Sequence, residues 1–291
     1  MNPRPLKIKW MESWNQPRCR ARVQNGLTRH VPPDIKFVEG PEAQEQVLIA
    51  DIFCSADFTR VPPKKNVVYV LHGPVALCDR PYLRRALLNV SFMDVPTEAR
   101  APDIPFLRSP LGVDGDVFYR RKAAIFPYDV TSVVMTTGFD VELEAIRDCL
   151  EAAKQARDGQ GLRTAIHVGP PFDFGCNPLI RRDILDEEMA QCYSSVLYVS
   201  GLRRGGGFEL PVIEGLACGA RPVCFDQPWY RHWFEGHAVF IPETANCTAD
   251  LVEVFRRDPE PVTEAEREAV LAKFSWKTIA ERLWARVLES I

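Results

Sequence analysis

The chain has 291 residues, of which 46% are hydrophobic and 26% are charged, and its formal net charge is −3. This composition is typical of a soluble globular protein and excludes an intrinsically disordered chain. The length favours two domains of roughly 100–200 residues each. No run of about 18 apolar residues predicts a membrane span. The N-terminus lacks the apolar stretch of a signal peptide, so we expect a cytoplasmic protein.

The nine cysteines are an odd number, and their spacing is not typical of a metal site. Without a secretion signal, we interpret them as reduced and mostly buried thiols. We expect neither a bound metal nor a cofactor.

Basic side chains are concentrated at the start of the chain. Residues 1–36 carry eight basic and two acidic side chains, so this segment is +6 and the remainder is −9. Trp10 and Trp14 lie within it. One interpretation is a basic, aromatic-bearing surface for an anionic acceptor or polymer. The other, which we favour, is a solvated first strand and loop whose tryptophans enter the core.

Short apolar runs rich in β-branched residues alternate with helical patterns along the chain. Strands are predicted at 47–53, 67–71, 131–135, 164–168, 195–200, 221–225 and 238–241. Helices are predicted at 83–90, 141–156, 185–193, 211–218, 248–256 and over 264–291. This alternation predicts an α/β fold with parallel sheets covered by helices on both faces. Proline-rich breaks at 96–110 predict two such units with a boundary near residue 120.

The loop after the predicted strand at 195–200 carries the strongest signal for a ligand site. It contains Arg203, Arg204, Gly205, Gly206 and Gly207. Glycines before a helix let a phosphate approach the backbone, where free N–H groups and the helix dipole attract it. Pro211 suits the first turn of the following helix, because its missing N–H is not needed there. In an open α/β sheet, a loop at the carboxyl end of a strand is where a ligand docks.

Glu214 lies one turn into this predicted helix, from where its carboxylate can accept hydrogen bonds from ribose hydroxyls. The competing interpretation is a tight strand-to-helix turn with a solvated glutamate. Arg203 and Arg204 have the same alternative, a pair of solvated arginines on a loop.

Residues 207–223 resemble the donor-binding segment of the family 4 retaining glycosyltransferases, which have the two-domain GT-B fold. The usual form there is E-G-F-G-L-P-x-x-E-A-M-A-x-G-x-P-V. Three further stretches agree in order. Residues 110–118 resemble the hinge that ends the first domain, 185–193 the helix before the donor strand, and 274–276 the start of the closing helix.

The resemblance implies two Rossmann-like domains that face a cleft. It implies an N-terminal acceptor-side domain over 1–120, a C-terminal nucleotide-sugar-binding domain over 121–272 and a closing helix over 273–291. The implied activity is transfer of a sugar from a nucleotide-diphosphate sugar to a hydroxyl acceptor, with retention and without a metal.

The resemblance also implies roles for individual residues. Glu214 corresponds to the second glutamate of the family's pair and contacts the ribose. His72 stands at the place of a histidine near the sugar and the reacting centre. The loop around sugar and phosphate is shaped by Phe208, Leu210 and Pro211.

Several positions depart from the family pattern. The first glutamate of the pair is replaced by Gly206, and Glu209 stands where the family has its second loop glycine. The family's basic residues after the first strand of the second domain are missing from 134–142. We therefore predict that Arg203 or Arg204 and the glycine N–H groups bind the diphosphate, and that Glu209 or His72 touches the sugar.

The departures leave other functions open. A catalytically silent nucleotide-sugar-binding or scaffold protein of the same fold is the main alternative, and a sugar-nucleotide epimerase is a further one without motif support. The acceptor is a small molecule, a lipid-linked sugar, a protein or an anionic polymer such as DNA with a hydroxylated base. The sequence pI of about 6.0 argues mildly against non-specific affinity for nucleic acid.

Overall fold

The computed structural model describes residues 4–11, 18–40, 44–52, 55–63, 66–72, 80–92, 103–121, 132–138, 140–156, 165–172, 178–205 and 208–291. Contacts between residues divide the chain into two units. The first contains residues 1–112, 206–208 and 274–291, and the second contains 113–205 and 209–273.

The described residues form strands and helices that alternate along most of the chain. The strands are β1 (Leu6–Trp10), β2 (Ile35–Phe37), β3 (Val47–Ile52), β4 (Val67–Leu71), β5 (Leu88–Ser91), β6 (Phe106–Arg108), β7 (Ser132–Thr137), β8 (Ala165–Val168), β9 (Leu179–Arg181), β10 (Val196–Gly201), β11 (Arg221–Phe225) and β12 (Val239–Ile241). The helices are α1 (Arg18–Arg29), α2 (Ser55–Phe58), α3 (Arg80–Leu83), α4 (Ile146–Ala156), α5 (Asp186–Ser194), α6 (Leu210–Cys218), α7 (Pro228–Phe234), α8 (Thr248–Phe255), α9 (Glu264–Phe274) and α10 (Trp276–Glu289).

The first unit is built on a six-stranded sheet in the order β2-β1-β3-β4-β5-β6. All of its strand pairs are parallel. Every residue of β3 and β4 is buried. Their largely apolar sequences suit central strands of a parallel sheet that is covered on both faces.

Helix α10 packs against α1 within this first unit. The indole N–H of Trp284 donates a hydrogen bond to the carbonyl of Leu27 at 3.0 Å. A Cβ atom built at Gly26 would overlap the indole of Trp276, so only glycine allows this close approach. Ser275 caps the helix by accepting a hydrogen bond from the N–H of Thr278 at 3.2 Å. The C-terminal helix therefore contributes to the core of the first unit.

The second unit contains a parallel six-stranded sheet in the order β12-β11-β10-β7-β8-β9. Helix α6 follows β10 and is buried at every residue except Pro211. It ends at Gly219, whose φ of 94° is left-handed and suits glycine. Because β7 and β10 are parallel neighbours, their carboxyl ends lie at the same edge of the sheet.

The two parallel sheets with their helices confirm the predicted α/β class and two Rossmann-like domains. A strand or helix forms at each predicted segment except 83–90, with ends shifted by a few residues. Among the described residues, every helix is too short or too polar to cross a bilayer. Buried free thiols are found, as predicted, at Cys149, Cys192, Cys218, Cys224 and Cys247. The other four cysteines lie outside the residues whose side chains are described.

The helix predicted at 83–90 is wrong. Helix α3 ends at Leu83, a turn follows at 84–85, and 88–91 form β5, which is hydrogen-bonded between β4 and β6. The Asn89 side chain is buried and donates to the carbonyls of Leu83 and Pro105 at 2.9 and 3.0 Å. Pairing on both sides outweighs the apolar spacing that suggested a helix.

The helix predicted at 141–156 starts later, at Ile146. Residues 141–145 form turns, and the Asp140 carboxylate accepts hydrogen bonds from the N–H groups of Glu142 and Leu143 at 3.1 and 2.9 Å. Aspartate commonly stabilises turns and helix starts in this way.

Candidate functional site

A cavity opens at the carboxyl edge of the second sheet, where β7 and β10 end. It encloses about 250 Å³, part of it open to solvent. Among the described residues, it is lined by Thr137, Glu144, Ser200, Gly201, Leu202, Arg203, Glu209 and Pro211. It therefore includes three residues of the loop and helix start that the sequence singled out, Arg203, Glu209 and Pro211.

Glu144 reaches the cavity from the turn between β7 and α4. Its Oε2 atom accepts a hydrogen bond from the N–H of Asp140 at 3.0 Å, which fixes the carboxylate across the turn. Gly138 has a φ of 135°, and a Cβ atom there would overlap this carboxylate. Sequence analysis did not identify Glu144. The glycine directly after a buried strand was the available signal.

Arg203 lies between two carboxylates. Its Nη1 atom is 3.3 Å from Oε1 of Glu144, and its Nε atom is 3.9 Å from Oε1 of Glu209. The Arg203 side chain is 41% exposed, whereas those of Glu144 and Glu209 are 17% and 19% exposed. The structure thus brings Arg203 and Glu209 together and adds a second carboxylate, that of Glu144.

The carboxyl group of Glu209 has a strongly shifted pKa. Burial raises it to about 7, Arg203 opposes this rise, and the nearby Glu144 adds to it. Glu209 is also the N-cap residue of α6, although its side chain makes no capping hydrogen bond. Near neutral pH, this group is therefore balanced between its neutral and charged forms.

Tyr230 stabilises the loop after β10 by contacting the backbone of Arg203. It is fully buried on α7, and its hydroxyl donates to the carbonyl of Arg203 at 3.3 Å. Burial, followed by the charge of Glu209, raises the pKa of Tyr230, so the phenol is neutral at ordinary pH. Neither α7 nor this contact was predicted from the sequence, and the contact joins residues that are 27 positions apart in the chain.

Arg204 points to a different set of partners. Its guanidinium donates a hydrogen bond to the carbonyl of Glu142 and another, of 2.9 Å, to the carbonyl of Thr244. The guanidinium also lies 3.3 Å from Oδ2 of Asp148. Its backbone N–H donates to the carbonyl of Leu143 at 2.7 Å. Arg204 thus ties the turn before α4 to the loop before α8. Its predicted contact with a donor stays a prediction.

Glu214 is buried, with 2% of its surface exposed. Its Oε2 atom accepts a hydrogen bond from the hydroxyl of Tyr193 on α5 at 3.1 Å. Helix α6 starts at Leu210 with Pro211 in its first turn, as the sequence predicts. The contact of Glu214 with a ribose stays a prediction.

The rest of the predicted loop is only partly described. Gly205 is exposed and has a φ of 79°, a backbone conformation that favours glycine. Gly206 and Gly207 lie outside the described residues. Phe208 is buried, and its ring centroid lies 5.6 Å from that of Phe274. Leu210 is buried at the start of α6.

His72 follows β4 in the first sheet. Its Nε2 atom lies 2.8 Å from Oδ1 of Asp51, and the two side chains are 8% and 1% exposed. Asp51 is a carboxylate within the otherwise apolar strand β3, which was the overlooked signal for this pair. A histidine oriented by a buried aspartate has a defined tautomer and ring position.

The basic segment at the start of the chain is a strand followed by a helix. Trp10 is buried at the end of β1. This agrees with the interpretation that the tryptophans of this segment enter the core. Lys9 donates to the carbonyl of Gly40 at 2.7 Å, whereas Lys7 and Lys36 are exposed. Trp14 lies outside the described residues.

Within the part of the chain that the structure describes, no group of three or more His, Cys, Asp or Glu side chains is arranged to hold a metal ion. Metal independence remains a prediction.

The chain has the GT-B fold, as a comparison with solved structures shows. It is similar to sucrose-phosphate synthase from Thermosynechococcus elongatus, with a TM-score of 0.68 and 14% identity over 99% of this chain and 100% of that one. A glycosyltransferase from Rickettsia africae ESF-5 gives a TM-score of 0.65 and 9% identity over 99% and 98% of the two chains. A UDP-forming α,α-trehalose-phosphate synthase from Burkholderia xenovorans gives 0.61 and 10% over 93% and 78%.

At these identities, the likeness establishes the fold and leaves the function to be argued from the site. No protein-family model matches the chain, and no curated protein sequence matches it either.

Proposed function

We propose that the protein is a glycosyltransferase that moves a sugar from a nucleotide-diphosphate sugar to a hydroxyl acceptor. The observation that carries this proposal is the cavity beside Arg203 and the start of α6, at the carboxyl edge of a sheet in a GT-B fold. The similar synthase from Burkholderia xenovorans is described as UDP-forming, which agrees with a nucleoside diphosphate as leaving group.

The diphosphate binds to Arg203 in this proposal. Its guanidinium is the most exposed of the three charged groups at the cavity and can form paired hydrogen bonds with phosphate oxygens. The start of α6 adds the positive end of the helix dipole.

The reaction breaks the bond between the anomeric carbon and the diphosphate oxygen and forms a bond from that carbon to the acceptor oxygen. The acceptor proton passes to the departing diphosphate. Arg203 and the positive end of the α6 dipole stabilise the charge that develops on this leaving group. A cationic side chain in that position supports metal-independent chemistry. We propose retention of configuration because residues 207–223 resemble the donor-binding segment of the retaining family 4 glycosyltransferases.

His72 is the proposed contact to the sugar or the acceptor. Asp51 accepts a hydrogen bond from its Nε2–H, so the ring is held in one orientation and Nδ1 is its second polar atom. The acceptor is a hydroxyl compound of unassigned class, with a hydroxylated base in DNA as one candidate. Binding to DNA that weakens steeply with added salt would support that candidate, whereas no binding at low salt would remove it.

The test is release of nucleoside diphosphate from a panel of nucleotide sugars, by the wild-type protein and by Arg203→Ala. We expect the variant to lose about 100- to 1,000-fold in turnover, as is typical when a group that stabilises the leaving charge is removed. Arg231→Ala is the matched control, because this arginine pairs on the surface with Asp226 and Glu235. We expect the control to turn over like the wild type.

Wild-type turnover in Arg203→Ala would contradict the assignment of the diphosphate site. Binding of a nucleotide sugar without hydrolysis or transfer to any acceptor would favour the alternative of a silent nucleotide-sugar-binding protein. That alternative is motivated by Gly206, which replaces the family's first glutamate.

A further inference from the structure

The proposed diphosphate site has an unfavourable charge when all of its groups are ionised. Among the described residues that line the cavity, Arg203 is the one cation, and it lies against the carboxylates of Glu144 and Glu209. Two carboxylates and one guanidinium sum to −1. A diphosphate adds further negative charge, which like charges in a partly buried cavity oppose.

The two carboxylates differ in how firmly they are held. Glu144 accepts a hydrogen bond from the N–H of Asp140 at 3.0 Å and lies closer to the arginine, at 3.3 Å from its Nη1. Glu209 lies 3.9 Å from the Nε atom of Arg203, beyond hydrogen-bond distance, and makes no capping hydrogen bond to α6. Hydrogen bonds to the charged form stabilise it, so Glu209 is the carboxylate that takes up a proton more easily.

Among the residues that the structure describes, Arg203 is the one cation that affects the charge of Glu209. Its other titratable neighbours are Glu144 after β7, Cys224 on β11 and Tyr230 on α7. Burial raises the pKa of both Cys224 and Tyr230, so these two groups are neutral around pH 7. The electrostatic balance of the cavity therefore depends on the protonation of Glu209.

We propose that Glu209 binds the donor in its protonated form, as a hydrogen-bond donor to the diphosphate or the sugar, and that donor binding takes up one proton from solvent. This inference rests on the proposed function of the cavity and adds the charge state in which it works. The neutral carboxyl group removes the excess negative charge and provides an O–H next to Arg203. Glu144 holds the guanidinium in place through its 3.3 Å contact with Nη1 of Arg203.

The probes are UDP-glucose, ADP-glucose and GDP-mannose. The diphosphate of such a compound is esterified at both ends and does not titrate near neutrality, so any proton that is taken up belongs to the protein. Titration calorimetry of the tightest binder at pH 7.5, in buffers of different ionisation enthalpy, measures this uptake. With a pKa of about 7 in the free protein, we expect an uptake of about 0.8 proton per ligand.

The affinity gives a second readout. Only the protonated fraction binds, so the affinity should fall about tenfold from pH 6 to pH 8. Glu209→Gln imitates the neutral carboxyl group, so it should take up no proton and bind at pH 8 about as tightly as the wild type binds at pH 6. Glu142→Gln removes an exposed carboxylate from the neighbouring turn and should retain the wild-type uptake.

The outcomes separate this inference from the proposed function. Binding without proton uptake, or binding by Glu209→Gln that is weaker than wild type at every pH, would overturn the role of Glu209 and leave the donor site standing. No binding of any probe between pH 6 and pH 8 would overturn both.

Discussion

The buried carboxyl group of Glu214 gives a direct test of how the core of the second unit is organised. Glu214 lies on α6 and is 2% exposed. Its carboxylate accepts a hydrogen bond of 3.1 Å from the hydroxyl of Tyr193, which lies on α5. Tyr193→Phe removes this hydroxyl and leaves the ring in place. A hydrogen bond to a buried carboxyl group contributes about 1–3 kcal/mol, depending on its charge, so we expect a loss of stability of that size.

The assay is thermal unfolding followed by circular dichroism or calorimetry. For a unit of this size, each kcal/mol lowers the melting temperature by about 2–4 °C, so Tyr193→Phe should melt about 2–12 °C below the wild type. Tyr119→Phe is the matched control, because Tyr119 is 41% exposed, and it should change stability by less than about 0.5 kcal/mol. A melting temperature of Tyr193→Phe equal to that of the control would refute the structural role of this contact.

Three further substitutions test other parts of the second unit. Gly138→Ala forces a side chain into a φ of 135° and against Glu144, so we expect a loss of about 1–3 kcal/mol in a denaturant titration. Arg204→Ala removes hydrogen bonds to carbonyl groups on two segments and should destabilise the unit in the same titration, whereas unchanged stability would contradict its tying role. Glu266→Gln breaks the largely buried pair with Arg221 and should cost about 3 kcal/mol. Burial raises the pKa of Glu266, but hydrogen bonds, first from Arg221, outweigh this effect and lower the pKa from the usual 4.5. The pair therefore stabilises the folded protein above pH 4.5, and this stabilisation is lost as the pH falls through the lowered pKa. Equal acid midpoints for wild type and Glu266→Gln would contradict this last prediction.

The sequence predicted the strands and helices of the second unit except β9 and α7, because their signals are local. Strand β10 begins with a continuous apolar run, and α6 has a proline in its first turn and a glycine just after its end. The helix prediction at 83–90 was wrong because the pairing of β5 with β4 and β6 depends on residues that are distant in the chain. Its apolar residues have helical spacing when they are read alone.

The candidate site was predictable only where it is contiguous in the chain. Arg203, Glu209 and Pro211 follow one strand and start one helix, so one motif contains them all. Glu144 is 59 residues from Arg203 in the sequence and joins it only because β7 and β10 are neighbours in the sheet. Asp51 and His72 meet for the same reason at β3 and β4.

The central claim is that the cavity beside Arg203 binds the diphosphate of a nucleotide sugar. A crystal structure of the protein soaked with the tightest-binding nucleotide sugar tests it most directly. We expect phosphate oxygens within about 3 Å of the Arg203 guanidinium and close to the start of α6. A nucleotide sugar bound elsewhere, with Arg203 still held between Glu144 and Glu209, would contradict it.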